Sequence, residues 1–169
     1  MARVRAAVGT VLGLLSLGVS PAVAQTPISV GYSTLHVLER NGYDLPVGLL
    51  ITAGGDSNRI VSPLLEVGIN YSAESRQTLQ IVTVQGGVRV VPYAGTRVRP
   101  FGQVMGGVIG AQCCGEMAMR FAVEPGGGVE FPLTRRLSAQ VIAGFPLVIA
   151  EGFSTRLIRI SAGVSFVPW

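Results

Sequence analysis

His36 is the only histidine in the chain, and Ser33 stands three residues before it, a potential nucleophile near a potential base as a hydrolase would need. In an extended segment positions 33 and 36 lie on opposite faces, and no residue pattern offers a second serine. His36 therefore reads as a rim histidine, with a lipid-modifying hydrolase as a lesser alternative. Cys113 and Cys114 are adjacent. Neighbouring cysteines close only a strained eight-membered ring, and a metal or redox role would need ligands that the surrounding residues do not supply. The run Gly126-Gly127-Gly128 follows Pro125 inside an alternating pattern, not between a strand and a helix, so it is no phosphate loop and reads as close packing or strand curvature. No catalytic, cofactor-binding or metal set is expected. What remains is a set of charges on otherwise polar faces: Glu66, Arg89, Arg120, Glu124, Glu130 and Arg159. Buried together they would have to pair. The alternative is a lining for an ion-conducting or substrate-binding lumen.

The elements that must position these charges show a period of two. The C-terminal stretch sets Ile158, Ile160, Ala162, Val164 and Phe166 against Arg159, Ser161, Gly163 and Ser165, the alternation of a strand with one oily and one polar face. Seven further segments repeat it, at about 28–37, 45–53, 60–72, 78–91, 98–111, 117–131 and 137–148, separated by polar or Gly/Pro breaks. The segment at 98–111 leaves its register open, because Val98, Val104 and Val108 share one face while Phe101, Met105 and Ile109 fall with Arg99 and Gln103 on the other. Eight strands joined by short links, with no helical segment between them, predict an antiparallel up-and-down meander that closes on itself. An even strand number puts both termini at one end. The short loops at the other end argue against a large adhesive surface.

Arg3 and Arg5, an uncharged run over 6–19, then Pro21 and Ala22-Val23-Ala24 make a secretory signal peptide over 1–24. Gln25 then begins one domain over 25–169. All thirteen basic residues are arginines. Two leave with the signal peptide, so eleven face nine acids, a net charge near +2 without a long basic run. No nucleic acid partner is expected. Beyond the signal peptide no run of eighteen apolar residues occurs, yet 49% of the sequence is hydrophobic. Outward-facing apolar residues on many short strands would reconcile the two.

The signal peptide, the eight alternating segments, Pro100-Phe101-Gly102-Gln103, Glu124-Pro125-Gly126-Gly127-Gly128-Val129 and the ending Phe166-Val167-Pro168-Trp169 together resemble the small porin-like, OmpA-like outer-membrane β-barrel domain family. The resemblance covers nearly the whole mature chain. It implies an all-β, eight-stranded antiparallel transmembrane barrel in the bacterial outer membrane, monomeric and non-enzymatic, structural or weakly pore-forming, with a polar lumen filled by side chains. It also implies outer-membrane lipid, the barrel-assembly machinery and periplasmic chaperones as partners, with Val164, Phe166 and Trp169 in the assembly signal. Pro168 departs from that signal by putting Trp169 out of phase with Phe166. A soluble periplasmic or secreted barrel with its oily faces turned inward onto an apolar ligand is the alternative.

Overall fold

The computed structural model describes residues 26–38, 44–56, 59–72, 79–92, 97–113, 116–150 and 153–168. The segment 1–24 expected to be a signal peptide, Cys114 and Trp169 lie outside them. Ten strand segments follow one another: β1 (Ile28–Val37), β2 (Asp44–Leu45), β3 (Val47–Gly54), β4 (Val61–Ser72), β5 (Leu79–Val90), β6 (Arg99–Cys113), β7 (Glu116–Pro132), β8 (Leu137–Gly144), β9 (Leu147–Ala150) and β10 (Phe153–Phe166). All pairings are antiparallel: β1 pairs with β2 and then β3, β3 to β8 pair in succession, β8 and β9 both lie between β7 and β10, and β10 returns to pair with β1 from Ile28↔Phe166 to Val37↔Leu157. The sheet is thus a closed ring with no free edge at the seam.

Ten segments make eight barrel strands because prolines interrupt two of them. Pro146 separates β8 from β9, and a residue without an N–H cannot donate to a ladder. The register survives this break. Arg159↔Gly144 precedes it and Arg156↔Leu147 follows it, with no residue gained or lost. Pro46 acts differently. Between Tyr32↔Leu49 and Leu35↔Leu45, β1 has two residues where the opposing strand has three, which is a β-bulge. Strict alternation would carry Leu45 outward with Val47; the extra residue turns it inward, where it is fully buried.

Inside and outside are otherwise separated by parity. Val30, Leu49, Leu65, Val84, Val104, Phe121, Val141 and Ile160 are exposed on the outer face, while Ser33, Thr52, Glu66, Thr83, Gln85, Gln103, Glu124 and Arg159 are buried within. The strand at 99–113 follows the same rule, with Phe101, Gln103, Met105 and Ile109 inside and Val104 and Val108 outside. Its mixed character reflects an interior that is partly apolar. We call the end carrying residue 28 and Phe166 the terminal end, and the other the distal end.

Candidate functional site in the barrel lumen

At mid-depth the lumen is crossed by an ion triad. Arg159 of β10 donates through Nη2 to Oε1 of Glu66 on β4, and the same nitrogen lies 2.7 Å from Oε1 of Glu124 on β7. The second contact is an ion pair whose angle falls short of hydrogen-bond geometry. Relative exposures of 1%, 1% and 3% for Glu66, Glu124 and Arg159 place all three charges away from solvent. Such charges persist only when paired.

The bonds span strands that are not adjacent, and glycine makes this possible. Glu124 and Arg159 sit on either side of β8, where the inward position between them is Gly144. A Cβ built there would overlap Oε1 of Glu124 and lie 3.0 Å from its Cδ. The same device recurs across β3. Asn70 of β4 reaches Ser33 of β1, donating Nδ2 to its Oγ at 3.0 Å and to its carbonyl at 3.2 Å, above Gly48, whose Cβ would strike the Asn70 amide. Alternation marks these glycines as inward. It does not mark them as bridges.

Toward the terminal end, Arg89 of β5 donates to Gln103 of β6 at 3.0 Å and to Gln140 of β8 at 3.3 Å, and its guanidinium lies 3.9 Å over the Phe101 ring. Glu130, also buried, attracts it together with Glu66. Phe101 packs with Val91 and Ile142. Gly128 leaves room for this ring, since its Cβ would come within 2.8 Å of Phe101 Cζ. The triple glycine is therefore a packing feature.

Two expectations need correction. Arg120 is not part of the network: it shares the inward parity of Glu124 and pairs with Ile109, but it is exposed and donates to its neighbour's carbonyl, Met119 O, at 3.3 Å. The last described β7–β9 pair, Phe121↔Ile149, lies one residue from Arg120. The lumen, secondly, is not polar throughout. Leu35, Val37, Leu45, Ile81, Ile109, Ala122 and Leu157 form one buried apolar cluster toward its distal end. Five of the barrel's strands supply its larger side chains, so it extends across the lumen as a layer.

Ser33 and His36 do not meet. Ser33 is buried in the lumen with Asn70, whereas His36 is exposed and its Nδ1 contacts Asp44. No group of three potential metal ligands comes together among the described residues. Glu66, Glu124 and Arg159 are brought together, Arg89 and Glu130 lie below them, and Val164 and Phe166 hold the closing seam.

No family model and no curated protein matches the chain. Solved structures do. Neisserial surface protein A is similar over 85% of this chain and 97% of its own, with a TM-score of 0.72 at 10% identity. Ail, the attachment invasion locus protein of Yersinia pestis, covers 83% and 96%, with a TM-score of 0.60 at 16% identity. The N-terminal β-barrel domain of Pseudomonas aeruginosa OprF covers 83% and 97%, with a TM-score of 0.54 at 10% identity. At these identities the likeness is one of architecture, and the chain has the fold of the small outer-membrane barrels.

Proposed function

We propose that this chain is an integral protein of the bacterial outer membrane, exported by a signal peptide at 1–24, with a structural role and a lumen closed to ions. The observation that carries this reading is the direction of the two faces. Large apolar side chains such as Val30, Ile51, Leu65, Val104, Phe121 and Ile160 are exposed around the outer wall, while the ion triad is buried inside it. A soluble protein does not leave so continuous an apolar surface in water, and lipid is the solvent it suits. A soluble barrel binding an apolar ligand needs the opposite arrangement. Membrane fractionation tests the point: the protein should remain with outer-membrane sheets after alkaline washing, and recovery in the soluble periplasm would refute it.

The reading includes no catalysis. His36 and Asp44 supply a base and an orienting carboxylate, but Ser33 is held on the other face by Asn70. His36→Ala should leave the lipid profile of the membrane unchanged; an altered acyl pattern would reinstate the hydrolase. Assembly machinery and chaperones would act on the chain before closure, with Val164 and Phe166 presented by its last strand.

A further inference from the structure

The terminal end of the barrel carries a charge pattern that the closed lumen does not use. Arg59, Arg97, Arg99, Arg135 and Arg136 all lie in or beside its turns, against Asp56 and Glu130. Arg59 contacts Asp56 at 3.5 Å, whereas no carboxylate among the described residues lies within ion-pair distance of Arg97, Arg135 or Arg136. Arg97, Arg135 and Arg136 are exposed. The tight turn that presents the last two is locally ordered: Thr134 Oγ1 accepts from the backbone N–H of Arg136 at 3.2 Å and of Leu137 at 3.0 Å, and Val167 N donates to the Arg136 carbonyl at 2.9 Å. Beside this turn is an open cavity of about 110 Å³, lined by Arg99, Arg135, Arg136 and Thr134 and also by Asp56 and Glu130. Glu130 is the cross-strand partner of Arg99, and three arginines facing two carboxylates leave a net positive site. The Nε of Arg99 is buried without a hydrogen-bond partner.

The surroundings identify the ligand class. Phe131 and Leu137, at the same end of the wall, are exposed, as are Leu133 and Val98 in the links beside them. Cationic forks standing directly beside an apolar lipid-facing band match a molecule that has a phosphate at one end and acyl chains at the other. Guanidinium groups suit phosphate because their planar donors engage two oxygens at once. We propose that the Arg99, Arg135 and Arg136 cavity binds the phosphate of an anionic phospholipid headgroup, with Arg97 beside it and the acyl chains lying along Leu133 and Leu137. This inference rests on the membrane reading above.

The test is native mass spectrometry of the full chain released from mixed micelles containing equal phosphatidylglycerol and phosphatidylcholine. Fractionation reports separately on whether the protein is in the membrane at all. A phosphatidylglycerol preference on the order of tenfold is expected, the attraction of an anionic headgroup to clustered arginines being partly offset by Asp56 and Glu130 in the same cavity. The preference should fall toward parity in Arg135→Ala/Arg136→Ala and partially in Arg97→Ala, and persist in Arg120→Ala/Arg156→Ala, which alters the distal end. Heat-modifiable migration on gels establishes that each variant is folded before it is scored. Equal retention of the two lipids would overturn the proposal, as would an equal loss of preference in the distal variant. Displacement of the lipid by millimolar inorganic phosphate would make the free anion the ligand and overturn the lipid assignment.

Discussion

Arg159 serves two carboxylates, and this unequal sharing makes it the side chain whose loss the barrel should feel most. Arg159→Met leaves Glu66 and Glu124 buried beside each other with no cation between them. Breaking a buried pair in this way costs on the order of 3–5 kcal/mol, less where water enters, so the variant should unfold in detergent at a clearly lower temperature. Arg120→Ala removes an exposed charge bonded to its neighbour's carbonyl and should leave the transition where it was. Equal shifts in heat-modifiable gel migration for the two variants would contradict this distinction. Gly144→Ala probes the bridge itself. Its Cβ would displace the Glu124 carboxylate, and an overpacked, partly unpaired site of this kind costs about 1–3 kcal/mol. If Gly144→Ala unfolds like the wild type, Glu124 does not need the gap in β8 to reach Arg159.

The strands were legible because each buries one face only, so side-chain type records direction at every second residue. Segments read at about 28–37 and 60–72 correspond to Ile28–Val37 and Val61–Ser72, and the last alternation ends at Phe166. Three features were not legible, each for a physical reason. Parity gives the face of Arg120 but not whether its long side chain turns into the lumen or out to solvent. The Pro46 bulge shifts register by one residue, which depends on the partner strand and leaves no mark in local periodicity. The distal apolar layer is assembled from one or two residues on each of several strands, so no one segment reveals it. The seam bears the element-scale prediction. Val30↔Val164 and Ile28↔Phe166 zip the terminal end of β1 to β10, so removal of 164–169 should leave β1 with an open edge, block insertion and expose the chain to periplasmic protease. Normal membrane levels of the truncated chain would show that closure needs less of β10 than the register implies.

At the scale of the whole barrel, the interior combines two barriers of different kinds. Eight strands enclose a space that side chains can fill. The middle is filled by charges that hold one another, which blocks passage sterically but leaves polar atoms that water could solvate. The distal layer of Leu35, Leu45, Ile81, Ile109 and Leu157 is mainly apolar, with Thr83 opposite Ile109 and Asn70 opposite Ile81 as its inward polar neighbours. An ion crossing it would have to shed most of its hydration with no charged group to replace it, and narrow apolar constrictions oppose conduction in just this way. The wild type should therefore give no stable large currents in planar bilayers. If the apolar layer is the tighter barrier, Leu45→Ser/Ile109→Ser should let water into the distal end and produce measurable conductance, while Arg159→Met, in a refolded sample, should change it less because the layer above stays dry. A reversed order would assign the seal to the charge network. Stable, large, ion-selective channels in the wild type would overturn both and make Glu66, Glu124 and Arg159 the lining of an open path.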